Sequence, residues 1–119
     1  MGLFTKRGSI PVGDEALTWA DHRGDLETGT YVGWIFQHSG EVAEVARQIG
    51  WTGQKMSEPF AVEVTWDASG PRGGGYKVAA GGRTLGYTSR AQGPHMQTGK
   101  RVARLFVGDM GQACLLLDP

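Results

Sequence analysis

Residues Gly74 to Arg90 read GGYKVAAGGRTLGYTSR. Within them Tyr76–Ala80 and Arg83–Thr88 are two short runs of strand-forming type, separated by Gly81-Gly82. A two-residue glycine link between such runs predicts a β-hairpin, because the favoured hairpin turns hold their central residues at positive φ. The hairpin opens on Tyr76 and Lys77 and closes on Tyr87 and Arg90, so it sets aromatic rings beside positive charge. Twenty of the 119 residues are glycine, more than twice the ordinary usage of about 7%. That excess favours a β-rich fold with many tight turns over a helical bundle.

Working outward, Phe60, Val62, Val64 and Trp66 alternate with Ala61, Glu63 and Thr65, the period of a half-buried strand. Trp34 and Trp66 are expected in the core. Asp67 to Gly75 (DASGPRGGG) is loop by composition. Beyond a connection interrupted by Gly93-Pro94, Val102–Val107 and Ala113–Leu117 form a last hairpin turning at Gly108 to Gly111. Upstream, residues 30–37 (TYVGWIFQ) read as a buried strand, and Ala16 to Trp19 as a short one.

One helix is evident. Ser39 is a plausible N-cap, Glu41 and Glu44 load the N-terminal turns, and Gly50 is a natural stop. Val42, Val45, Ala46 and Ile49 fall on one face, which packs on a sheet. The expected fold is therefore mainly β with some α: a small barrel of about six strands and one amphipathic helix at about 40–49. A chain of 119 residues reads as one domain. Residues 1–29 form an N-terminal loop and short-strand extension, and 30–119 the barrel core.

Twelve basic and twelve acidic side chains cancel, but unevenly along the chain. Residues 1–67 carry five Lys/Arg against ten Asp/Glu, and residues 68–119 carry seven against two. Such asymmetry marks a candidate footprint for a polyanion, unless the halves interleave in space and neutralise each other. The lone Cys114 cannot form an internal disulfide and sits in an apolar run. No apolar run approaches a membrane span, and the N-terminus has too few hydrophobes for a secretory signal. These features fit a cytoplasmic protein with no membrane partner.

Catalytic and metal patterns are weak. His22, His38 and His95 are far apart, with no Cys or carboxylate at ligand spacing, so no metal or cofactor is expected. Asp14, Glu15, Asp21, Asp25 and Glu27 cluster in sequence, and paired carboxylates can run hydrolysis, but loop carboxylates are ordinarily just solvated. Gly73-Gly74-Gly75 lacks the Lys-Ser/Thr and the helix start that a phosphate loop needs. The chain reads as a non-enzyme.

The basic and aromatic set of the second half is the best functional candidate. Arg72, Tyr76, Lys77, Arg83, Tyr87 and Arg90 are its members, with Lys100, Arg101 and Arg104 further cations nearby in sequence. Single-stranded nucleic acid is held by aromatic faces that stack on bases and by cations that track phosphates. On a strand Tyr76 shares a face with Val78, and Lys77 with Ala79, so Tyr76 and Lys77 point opposite ways. Arg83 and Arg90 are expected to be exposed. A protein-interaction or structural role on the same scaffold is the alternative, with Trp51 a candidate for an exposed apolar patch.

From about residue 31 to about residue 92 the order of elements resembles the HIRAN domain. Val32-Gly33 followed by the helix at Glu41–Ile49 is similar to that family's opening strand and first helix, and Phe60–Trp66 to its next strand. Gly82-Arg83-Thr84-Leu85-Gly86-Tyr87-Thr88-Ser89-Arg90 resembles its closing motif. The resemblance implies a small β-barrel that binds single-stranded DNA, in some members at a 3′ end, through a loop and neighbouring aromatics. In that loop this chain departs from the family. Pro71 and Val78 match, whereas Arg72, Gly73 and Gly75 stand where the family has Tyr, Asp and Asn. Arg72 would there serve as a stacking cation.

Overall fold

The computed structural model describes residues 10–19, 30–33, 35–70, 73–89 and 98–117. Arg72, Arg90, Trp34, His22 and His95 lie outside the described residues. The elements are α1 (Asp14–Trp19), β1 (Thr30–Val32), a 3-10 turn (Ile35–His38), α2 (Ser39–Ile49), β2 (Phe60–Asp67), β3 (Gly75–Ala80), β4 (Arg83–Ser89), β5 (Gly99–Val107) and β6 (Ala113–Leu117).

All six strands pair antiparallel in the order β1-β6-β5-β2-β3-β4. A bridge from Gly33 to Tyr87 then brings the end of β1 against β4 and nearly closes the sheet into a barrel. Its two bonds run from Gly33 N to Tyr87 O at 2.9 Å and from Tyr87 N to Gly33 O at 3.1 Å. Closure removes the unpaired edges that an open sheet would present. Inside lie Phe60, Val62 and Val64 of β2, Val78 of β3, Leu105 of β5 and Leu115 of β6, all essentially solvent-free.

The expected hairpins form. Gly81 and Gly82 turn at φ 56° and 81°, and Gly111 turns the β5–β6 hairpin at φ 79°. The register of β3 on β4 shifts between Val78 and Ala79, a bulge that sharpens the local bend. The helix at 40–49 is α2. It ends at Gly50 in the left-handed conformation, where Gly50 N bonds Arg47 O at 3.2 Å and Trp51 N bonds Ala46 O at 2.9 Å. Val42 and Val45 are its buried face.

Four local readings are corrected. Ala16–Trp19 is not a strand but part of α1, which starts where Gly13 O accepts from Ala16 N and Leu17 N. Six residues with one buried side chain, Ala16, are too few to display a helical period. The buried strand expected at 30–37 ends at Val32, because Gly33 leaves β6 for β4 and the chain then coils into the 3-10 turn. Ser39 is the first residue of α2 rather than its cap; His38 holds the cap position and makes no side-chain capping bond. Trp66 is not core: it keeps the inward phase of Val62 and Val64 but falls at the barrel rim and is 42% exposed.

No helix of the described residues is long and apolar enough to cross a membrane.

Candidate nucleic-acid interface

Strand register sorts the hairpin residues into rows. Trp66, Tyr76 and Thr88 lie abreast on β2, β3 and β4, and Thr65, Lys77 and Tyr87 lie abreast on the opposite face. Both rows end at the loop that joins Asp67 to Gly75.

That loop is built around Asp67. One carboxylate oxygen accepts from Ser69 N at 3.0 Å and from Ser69 Oγ at 2.8 Å, the pattern of an Asx turn. The other accepts from the Tyr87 hydroxyl at 2.9 Å. The Ser69 hydroxyl, its N–H, the Tyr87 hydroxyl and the nearby Lys77 charge hold the Asp67 carboxyl below its ordinary range. Burial first, and the bond to the ionised Asp67 second, push the Tyr87 phenol above its ordinary value. Gly70 and Gly75 lie directly over the Tyr87 ring, where a Cβ would stand 3.1 Å and 3.6 Å from ring carbons. The His38 ring meets the same phenol, tilted, at 6.1 Å between centroids. Tyr87 is thus a half-buried post supporting the loop and is not an open stacking face.

The most exposed aromatic at this end among the described residues is Trp66. Its indole stands edge-on to Tyr76 with centroids 5.2 Å apart. Gly74, at φ 133°, runs flush against it; a Cβ there would be 2.7 Å from Trp66 Cζ2. Tyr76 is half-buried against the core. The alternation that placed Trp66 with the core hydrophobes concealed it, since a period of two reports the face and not the distance from the rim. Asp67 was legible only as the first residue of an Asp-Ala-Ser-Gly turn.

The remaining cations disperse. Arg83 sits beside the Gly81-Gly82 turn, about 20 Å along the hairpin from the Asp67–Gly75 loop at roughly 3.3 Å per residue. It is not a free exposed cation. Its Nη1 donates to Glu41 Oε1 of α2 at 2.6 Å, and the two side chains are 41% and 43% exposed. Arg101 is buried, because it lies opposite Val62 in the inward phase of β5. Lys100 and Arg104 take the outward phase of β5, Lys100 opposite Glu63 and Arg104 opposite Leu116. Trp51 is not an exposed patch: it packs against the core and its Nε1 donates to Gln54 O at 2.7 Å. Of the six candidates, the fold gathers Tyr76, Lys77 and Tyr87 at one end of the hairpin and Arg83 at the other; Arg72 and Arg90 lie outside the described residues.

A second surface stands apart from these. On the outer face of β1, β6 and β5, Tyr31 is 62% exposed and its ring meets Phe106 at 5.7 Å. Exposed Met56 bridges to Phe106, and Cys114 lies opposite it. An apolar cavity of about 200 Å³ adjoins Tyr31 and Cys114, and one of about 300 Å³ lies between Ala46, Trp51 and Ala113. Among the described residues no three His, Cys, Asp or Glu side chains are grouped to hold a metal ion.

No protein family, no curated protein and no solved structure shows significant similarity to this chain.

Proposed function

We propose that this barrel is a non-enzymatic module that binds single-stranded nucleic acid, DNA in the first instance, at its Asp67–Gly75 end. One observation carries the reading: an exposed indole, Trp66, is braced edge-on by Tyr76 and by the Gly74 backbone at the rim, with Lys77 on the opposite face of the same end of the hairpin. A base stacked on such a ring contributes about 1–3 kcal/mol regardless of sequence. The resemblance of residues 31–92 to HIRAN domains is part of the same proposal.

At this end of the barrel stacking, rather than charge, supplies most of the affinity. Lys77 is the one described cation there, and Arg72 and Arg90 flank it in sequence. Each phosphate neutralised in a single strand adds about −0.7 to the salt slope, so the expected slope runs from about −0.7 to roughly −2. The test is anisotropy with fluorescent single-stranded and duplex oligonucleotides at low and moderate salt, with free and blocked 3′ ends. Preference for single strands with a shallow salt slope supports the reading. No binding at low salt, or equal affinity after Trp66→Ala, sinks it.

The apolar face formed by Tyr31, Phe106 and Met56 favours a second reading, a protein-docking module. A Tyr31→Ser, Phe106→Ser variant that keeps oligonucleotide binding but loses self-association or partner binding would support it.

A further inference from the structure

The outer face of the barrel holds a small cavity on the far side of the hairpin from Trp66. α1 lies across β2 and β5. Between it and the β3–β4 turn is a space of about 150 Å³ lined by Trp19, Ala61, Glu63, Ala79, Gly81 and Gly82, among others. The floor is shallow because these β2, β3 and turn residues are small. The wall is an indole, and among the described residues Glu63 is the one charged side chain that lines it.

Glu63 has a cationic neighbour that it does not use. Lys100 stands directly opposite it on β5. Instead of pairing with Glu63, the ammonium lies over the Trp19 ring, 5.5 Å from its centroid. Glu63 forms no hydrogen bond or ion pair with any described residue. Glu63 is exposed and lines the same cavity as Trp19.

We propose that this cavity binds an organic cation, a guanidinium or alkylammonium group seated between Trp19 and Glu63. Indole is the aromatic surface that attracts cations most strongly, and a planar guanidinium both stacks on it and donates two bonds to a carboxylate. Lys100 bears on the site as a like charge that raises the cost of a second cation.

The test is a ¹⁵N–¹H titration of the whole chain with N-acetylarginine methylamide and with choline, against sodium chloride at equal ionic strength. The expected result is saturable movement of the Trp19 indole N–H and the Gly81 and Gly82 amides. Glu63→Gln weakens binding by roughly ten-fold or more, the loss of charge-assisted bonds, and Lys100→Gln tightens it several-fold. Ala79→Leu fills the floor while keeping the Glu63 charge, and blocks binding too. Both Glu63 and Lys100 are exposed, so their variants keep the fold. Trp66→Ala leaves this titration unchanged, which separates it from the oligonucleotide site. Tighter binding of an arginine-containing tetrapeptide than of the capped residue supports the site with a partner's side chain as the source; equal affinity supports it with a free small cation. Movements that sodium chloride reproduces, or that persist unaltered in Glu63→Gln, overturn the proposal.

Discussion

Replacing Gly86 with alanine tests whether the Gly33–Tyr87 seam holds the barrel shut. Gly86 faces inward opposite Val78, and its φ is not in the left-handed range, so the backbone itself has no need of glycine. The space does. A Cβ there would lie 2.4 Å from Gly33 O, 2.9 Å from Val32 Cγ1 and 3.3 Å from Ile35 Cγ2. The first of these atoms is a backbone oxygen already accepting from Tyr87 N. To admit the methyl, β1 must move away from β4 by roughly 1 Å, which breaks or stretches both seam bonds. Overpacking costs about 1–3 kcal/mol, and each lost backbone bond about 1 kcal/mol. Because the shift that breaks the bonds also relieves the clash, the combined loss is about 3 kcal/mol rather than the full sum. For a domain of this size that lowers Tm by about 12 °C. Thermal unfolding by circular dichroism measures it, with Gly40→Ala as the control. A Cβ at Gly40 meets nothing within 4 Å and the residue is helical, so that variant gains up to about 0.5 kcal/mol. A fall of less than about 3 °C in Gly86→Ala would refute the argument that the seam is rigid and closes the barrel.

Trp66→Ala is expected to weaken single-strand binding by about 5- to 150-fold, the worth of one stacked base, read by anisotropy at fixed salt. Glu41→Gln should cost at most about 1 kcal/mol in urea denaturation, since the pair with Arg83 is partly exposed, and should leave oligonucleotide binding intact because Arg83 is at the other end of the hairpin. Asp67 has a depressed folded pKa, so the stability it contributes is present above its unfolded value of about 3.9 and is lost as pH falls through the lower folded value. Asp67→Asn should therefore flatten the acid limb of the stability profile. Tyr87 is shifted the other way: its contribution is complete below its unfolded pKa of about 10 and is lost as pH rises through the raised folded value. Ultraviolet titration should place its ionisation above that of free tyrosine, and in Asp67→Asn only part of the shift should disappear, because burial is its larger cause.

Local chemistry made most of the fold legible in the chain itself. Gly81-Gly82 announced a hairpin because two successive residues had to take positive φ, and both do. Phe60, Val62 and Val64 announced a strand by their alternation, and Gly50 announced the end of α2. Each is a property of a few adjacent residues and survives whatever the rest of the chain does. The short α1 was hidden because six residues contain less than two helical turns of pattern.

The site was legible only in part. Tyr76, Lys77 and Tyr87 stand out by residue type, and strand register brings them to one end of the hairpin. Composition could not reveal that Arg83 would meet Glu41, a residue 42 positions away, or that Arg101 would be turned inward by its pairing with Val62. Nor could it separate Trp66 at the rim from Val64 two residues earlier inside. The sequence by itself determined strands β2 to β6, the Gly81-Gly82 turn and helix α2, because torsional preference and side-chain period act within a turn or two. Which cations stay open, which aromatics reach solvent and which glycines close the barrel were decided by the tertiary structure alone. Those depend on distances between residues far apart in the chain, and only the closed sheet sets them.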